Sequence, residues 1–388
     1  MIRLLTAGES HGPAVTTILE GIPAGLRLTP DDINHDLTRR QKGFGSGARM
    51  KIEKDQVQIL GGVMAGATIG SPISLHINNL DHVKWRNKAV SPLTTPRPGH
   101  ADLTGAIKYG YKDLRYSLER ASARETTARV AAAAICRKLL IEFGIKIGSY
   151  VTDIGSVQAQ LEGVPIEKRI SLSEQSDVRC PDPKASEEMR KHIRVIMQDK
   201  DTLGGVFEVV ALGVPPGLGS YVHWDRRIEA LLAKAILSIH AIKGVEIGPA
   251  FDNARKRGTN VHDEIILEGD TITRNTNRAG GTEGGVTTGQ PLVLRAAMKP
   301  LSTTLNPLQT VDLATGKPSP TTYERSDFCA VPRAAVVGEA MVAIVLADEL
   351  LRKIGGDSLE EMHPRFSALR RASLNDIVMD NEPTIFWS

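Results

Sequence analysis

The stretch SARETTARVAAAAICRKLLIEFG, residues 122–144, holds the key to the architecture. Ser122-Ala123-Arg124-Glu125 has the spacing of a capping box, in which a Ser side chain and a Glu three residues on satisfy each other's backbone N–H groups at a helix start. An Ala-rich helix is predicted from there to about Phe143, with Gly144 as its terminator. It is apolar over much of its surface, so burial on more than one side is expected. Two further segments read the same way. Asp225 is the cap of a helix expected to reach about Lys243 before Gly244, and Pro332 opens a very apolar helix that ends near Gly355-Gly356. A fourth helix starts at Thr29-Pro30-Asp31-Asp32, where a Thr cap precedes Pro and two acids, and runs to about Gln41.

Between these helices lie short β-like runs: Val57–Leu60, Ile73–Ile77, Val206–Leu212, Glu264–Leu267 and Pro291–Met298. Runs of strands interrupted by few, long helices favour an α+β sandwich over regular βαβ alternation. No repeat period, low-complexity tract or long linker divides the chain, so residues 1–388 are expected to form one unit. Residues 158–200 read as a peripheral excursion carrying one amphipathic helix near Ser186–Gln198. The tail from about residue 357 has Pro364 inside a helical pattern, which predicts a kinked or broken peripheral helix.

Composition narrows the function. The chain has 388 residues, 41% of them hydrophobic and only 4% aromatic, so its core is built from Ile, Leu, Val and Ala. A net charge of +3 is weak over this length and argues against a nucleic-acid groove, which needs a basic stripe. Cys136, Cys180 and Cys329 lie far apart, which supports neither a zinc site nor a disulfide framework and fits a reducing cytoplasm. No apolar run approaches the ~20 residues of a membrane span.

Short segments that pack Arg or His with Gly and Ser point to a polyanion pocket, because Gly lets backbone approach a ligand and Arg forks onto phosphate or carboxylate. Gly8-Glu9-Ser10-His11-Gly12 formally matches the nucleophile elbow of serine hydrolases, but β-rich residues rather than a helix follow it. His11 is then part of a structural turn, an acid or an anion contact. Gly43-Phe44-Gly45-Ser46-Gly47-Ala48 leaves a helix and precedes the strand-like Arg49-Met50-Lys51-Ile52, the reverse of a dinucleotide fingerprint. With Arg39, Arg40 and Arg49 around it, this loop is either an anion clamp or a solvated helix end. Arg97-Pro98-Gly99-His100 presents an imidazole suited to proton transfer. Arg120 and Arg124 add two guanidiniums to a helix N-terminus, an anion site unless both face solvent. Asn277–Gly285 and Thr287–Gln290 form a second Gly-rich loop, and Lys299 with the hydroxyls of Ser302, Thr303 and Thr304 can hold a phosphate tail.

Taken in order, GESHG (8–12), RRQKGFGSGARMKIEKD (39–55), TPRPGHADLTGAIKYGYKDLR (95–115), LERASARETTARVA (118–131), DTLGGV (201–206), IHAIKGVEIG (239–248), NRAGGTEGG (277–285), GQPLVLRAAMKPLSTT (289–304) and ERSDFCAVP (324–332) closely resemble the chorismate synthase family. The resemblance covers almost the whole chain and weakens in the excursion and the tail. It implies a β-α-β sandwich with long helices between antiparallel sheets, assembled as a homotetramer. It implies conversion of 5-enolpyruvylshikimate 3-phosphate to chorismate and phosphate, a 1,4-elimination that needs reduced FMN without net redox change. The reduced flavin would come from an external reductant, since no nicotinamide fingerprint in the chain is convincing.

By the same resemblance His11 protonates or stabilises the departing phosphate, His100 lies by the flavin ring, and Asp327 relays the C6 proton. Arg40, Arg49, Arg97, Arg124 and Arg325 hold the substrate. Arg120, Ala121, Ser122, His240, Ala241, Gly284, Lys299, Pro300, Leu301, Ser302, Thr303 and Arg325 match flavin-binding positions. Ser46 stands where many relatives carry Arg, and His240 where they often carry Asn or Gln, which is expected to make its charge pH-sensitive. The stretch from Trp85 to Thr95 is short for the family.

Overall fold

Inward Ile, Leu and Val alternating with outward residues build the first sheet. Strands β1 (Arg3–Ala7), β2 (Ala14–Glu20), β3 (Val57–Gly61) and β4 (Ile73–Asn78) pair antiparallel in the order β1-β2-β4-β3. Val15, Leu19, Ile73, Leu75 and Ile77 are all buried, as the two-residue period of a strand requires when one face is covered. The second antiparallel sheet holds β5 (Lys146–Ile154), β6 (Val157–Gln158), β7 (Gly205–Leu212), β8 (Ile242–Ile247) and β9 (Leu292–Met298), in the order β8-β9-β7-β5-β6. This computed structural model describes residues 1–46, 54–324, 326–379 and 382–387.

The helices used below are α1 (Pro30–Gln41), α2 (Asp102–Tyr109), α3 (Arg115–Arg120), α4 (Thr126–Glu142), α5 (Ile166–Gln175), α6 (Pro183–Gln198), α7 (Ile228–Leu237), α8 (Val331–Ile354) and α9 (Leu359–Ser367). Helix α4 packs on the first sheet and α8 on the second, and the two helices pack on each other, with α1 and α7 beside them. The expected α+β sandwich is therefore the observed one, with long helices between antiparallel sheets. Helix α8 lies close on the second sheet because Gly338 has no side chain: a Cβ there would sit 2.7 Å from the Phe207 ring. One apolar cluster runs through both sheets and the helices between them. Each fully buried Leu in it, such as Leu139, Leu346 or Leu350, contributes about 1.5–3 kcal/mol.

Several elements differ from expectation. The Ser122–Glu125 capping box forms only in part. Ser122 Oγ accepts from Arg124 N–H at 3.3 Å, but the Glu125 carboxylate turns away to Thr6 Oγ1 (2.7 Å) and Arg129 Nε (3.1 Å). Residues 123–125 form a 3-10 turn and the α-helix begins at Thr126. The helix expected from Asp225 to Lys243 spans only Ile228–Leu237, and Asp225 accepts from His223 Nδ1 instead of capping it. At Ala241 the backbone turns left-handed (φ +65°), and Ile242–Ile247 pairs with the edge of β9. Strand pairing there overrides helical preference.

The 158–200 excursion carries two helices, not one, and is not wholly superficial. Helix α5 lies on β5, where Ser173 Oγ donates to Ser149 O at 2.8 Å, and α6 buries Met189 and Ile193 completely. In the tail α9 continues through Pro364 unbroken and buries Met362. The strand expected at Arg49–Ile52 lies outside the described residues.

Candidate active site

The hairpin between β1 and β2 carries the Gly8–Gly12 segment, so a strand precedes it and a strand follows, unlike a nucleophile elbow. At Gly8 φ is +107°, and a Cβ would stand 2.3 Å from Ala14 O, so only Gly fits. The loop is anchored by Asn79, whose Nδ2 donates to Glu9 O (3.0 Å) and Gly12 O (2.8 Å). His11 is gripped by Glu119 of α3: the carboxylate accepts from His11 N–H at 2.7 Å and pairs with Nδ1 at 2.6 Å. The Trp85 ring covers the imidazole at 4.4 Å between centroids.

A second imidazole is fixed by its own loop. Fully buried Asp102, at the start of α2, pairs with His100 Nδ1 at 2.6 Å and accepts from Arg97 N (3.1 Å), Nε (2.8 Å) and Nη2 (3.0 Å). Burial pushes the Asp102 carboxyl up, but the His100 and Arg97 hydrogen bonds outweigh it and hold it far below the usual range. Arg97 also donates to Thr303 Oγ1 (2.9 Å), and Lys299 Nζ to Gly99 O (3.0 Å). These bonds lock the 97–100 loop to the segment that follows β9.

Arginines supply a third wall. Arg124 donates to Asp55 (2.5 Å) and Asn79 Oδ1 (2.7 Å), while Arg40 reaches Thr126 Oγ1 (3.3 Å) and Asp55 (3.5 Å). Arg333, in the first turn of α8, forms an ion pair with Asp327. Burial, and then the nearby Arg40, press the Arg333 guanidinium below its ordinary value, while Asp55 acts the other way.

These walls enclose a cavity of about 460 Å³. It brings together His11, His100 and Asp327 with Arg40, Arg97 and Arg124. Ala121, Ser122, His240 and Ala241 line it too, as do Lys299, Leu301, Ser302 and Thr303. Arg49 and Arg325 lie outside the described residues. Arg120, Pro300 and Gly284 are not in the lining. Arg120 donates to Thr6 O (2.8 Å) and Gly8 O (3.0 Å), which braces the hairpin. Gly284 sits in a turn between Thr282–Glu283 and Val286–Thr287, and none of the second Gly-rich loop lines the cavity. Arg39, expected either to share a clamp with Arg40 or to face solvent, points into the core.

Sequence reasoning missed Arg333, Trp85, Glu119 and Asp55. An Arg in the first turn of a helix opposes the macrodipole, and that signal at Pro332-Arg333 could have exposed the first. His240 was expected to be pH-sensitive. Burial pushes it down despite Glu125, which favours the neutral ring. Its Nδ1 is buried with no hydrogen-bond partner among the described residues.

The fold and cavity define an antiparallel α+β sandwich with a basic, histidine-bearing pocket suited to a small polyanion. The family model described as chorismate synthase matches residues 2–351. The chain is 54% identical over 385 residues to the chorismate synthase of Aquifex aeolicus, covering 94% of this chain and 96% of the relative. It is 53% identical over 374 residues to chorismate synthase 1 of Bacillus cereus, covering 92% and 96%. A crystal structure of chorismate synthase superimposes with a TM-score of 0.78 at 47% identity, covering 94% of this chain and 96% of the other. The chain belongs to the chorismate synthase family.

Proposed function

We propose that this chain converts 5-enolpyruvylshikimate 3-phosphate to chorismate and phosphate by 1,4-anti elimination, with reduced FMN as cofactor. The observation that carries this reading is the convergence of His11, His100, Asp327 and three arginines on one cavity in a member of this family. The substrate has two carboxylates and a phosphate. Arg40, Arg97 and Arg124 bind these anions, and Arg333 adds a fourth guanidinium. The C3–O bond to phosphate and the C6–H bond break, and the ring gains a second double bond. His11 gives its proton to the departing phosphate. Asp327 accepts the C6 proton, and its ion pair with Arg333 favours the carboxylate form that this needs.

The residues present fit a flavin. His240 offers an Nδ1 that has no hydrogen-bond partner among the described residues, and Lys299, Ser302 and Thr303 offer an ammonium and two hydroxyls for a phosphate tail. Ala121, Ser122 and Ala241 bring little bulk to the cavity wall between them. Bound reduced FMN supplies a reversible source of electron density for phosphate loss. His100, held by Asp102, orients an imidazole beside it.

One anaerobic experiment tests the whole reading. Protein, photoreduced FMN and substrate are mixed, and the diene is followed by its ultraviolet absorbance. Product is expected with reduced FMN and not with oxidised FMN. His11→Ala and His100→Ala should each lower turnover by roughly 10²–10⁴-fold, as for a lost acid–base group. Full-rate phosphate release without flavin, or near-normal turnover in both variants, would overturn the reading.

A further inference from the structure

We propose that Glu119 is the positioning residue of this site: its carboxylate holds a proton on His11 Nδ1, so that the proton the ring exchanges with the ligand is the one on Nε2. This rests on the reading of His11 as proton donor to the departing phosphate. The geometry is a three-point grip by the last turn of α3 on the hairpin loop. Glu119 O accepts from Ser10 N–H at 3.1 Å, Oε2 accepts from His11 N–H at 2.7 Å, and Oε1 meets His11 Nδ1 at 2.6 Å. A backbone N–H can only donate, so Oε2 is committed as an acceptor, and the planar carboxylate then presents its other oxygen to the ring.

The surroundings hold both partners in place. Trp85 covers the imidazole face, and His82 Nδ1 lies 2.9 Å from His11 O. Arg115, one helical turn before Glu119, places its guanidinium 5.8 Å from the centre of the Trp85 ring. Both side chains of the pair are mostly shielded from water, which strengthens the hydrogen bond between them. Burial raises the Glu119 carboxyl, but the His11 hydrogen bonds outweigh it and keep the group ionised. Once the doubly protonated ring has given its Nε2 proton to the phosphate, it is left as the neutral Nδ1–H form, facing an acceptor that has not moved.

A merely structural clamp and a tautomer selector respond differently to Glu119→Gln. The amide oxygen must still serve the His11 backbone N–H, so the amide NH₂ faces Nδ1 and turns it into an acceptor. The ring is then forced to the Nε2–H form, the same inversion that Asn produces beside His in the serine-protease triad. The test uses the full chain with ¹⁵N-labelled histidine, His11 being assigned by its absence in His11→Ala.

At alkaline pH, where the ring carries a single proton, nitrogen shifts should report Nδ1–H in the parent and Nε2–H in Glu119→Gln. The kcat of that variant should fall roughly 10²–10⁴-fold, with KM for substrate changed no more than about twofold because no binding arginine is lost. Glu119→Asp restores a carboxylate and should recover the Nδ1–H signal and part of kcat, which also serves if the Gln variant folds poorly. An unchanged tautomer in Glu119→Gln overturns the proposal. So does an inverted tautomer with parental kcat while His11→Ala is inactive. An inverted tautomer with both variants active overturns the proton-donor reading of His11 instead.

Discussion

Arg39 and Arg40 are neighbours on the last turn of α1, yet they serve two clusters of opposite character. Arg39 enters the core, where Glu339 of α8 takes its Nη1 and Nη2 as a bidentate pair, both at 2.8 Å. Asp36 (3.1 Å) and Glu174 (3.1 Å to Nε) complete its partners. Arg137 and Arg179 join the same carboxylates, and Ser149 Oγ donates to Glu339 at 2.6 Å. Three guanidiniums there face three carboxylates. Arg40 turns the other way, to the cavity, where the described lining carries Arg40, Arg97, Arg124, Lys299 and Arg333 against Glu324 and Asp327, with Asp55 behind Arg40 and Arg124 and Asp102 behind Arg97. Balance closes the core cluster on itself. The cavity cations instead outnumber their carboxylates by one and line an open space, where an incoming polyanion can reach them.

Breaking the balanced side should give the largest effect. Arg39→Ala strands buried Glu339 with fewer partners and should cost about 3–5 kcal/mol, the usual loss when one member of a buried ion pair is removed. Urea unfolding measures it. Arg40→Ala should act on the other axis. Substrate affinity should drop roughly ten- to a hundredfold, the value of about 1.5–3 kcal/mol for a hydrogen bond to a charged group. Unfolding free energy should fall by less than in Arg39→Ala, since Asp55 keeps its 2.5 Å bond from Arg124. Calorimetric titration with substrate, beside the urea curve, separates the two. Equal stability losses in both variants would erase the distinction between the clusters.

The same pair marks the boundary of what the sequence shows. Successive residues of a helix point about 100° apart, so RR at 39–40 announces charge without saying which arginine faces the core. That choice is made by Glu339 and Glu174, which lie 300 and 135 residues away. The α+β sandwich was legible because α1, α4 and α8 carry local start and stop signals and period-two strands separate them. Helix α7 was overextended because β8 exists only through pairing with β9. Most cavity residues were legible as Gly-flanked Arg and His, and the family resemblance ordered them. Glu119 and Asp55 were not, because a single charge in or beside a helix gives no local sign of a partner across the fold, and Arg333 offered only its unfavourable place in the first turn of a helix.

The finest contrast lies within the core cluster, at its rim. Glu174 pairs with Arg39 and Arg179 but keeps 37% of its side chain exposed, whereas Glu339 keeps 2%. Burial raises the Glu174 carboxyl, but hydrogen bonds from Arg39 and Arg179 outweigh it and hold it far below the ordinary range. A carboxyl depressed in the folded state stabilises the fold above its unfolded value, about 4.3 for Glu, and loses that contribution as pH falls through the folded value. Solvent screening limits the contribution to about 1 kcal/mol or less. Glu174→Gln should therefore be less stable than the parent by that margin from pH 7 down to about 5. Below about pH 4.3 the gap should narrow, because the carboxyl takes up its proton in the unfolded parent while the amide has none to take. Urea midpoints across this range measure it, and a gap that widened with acid would show that Glu174 stabilises the fold as the neutral acid rather than as the partner of Arg39.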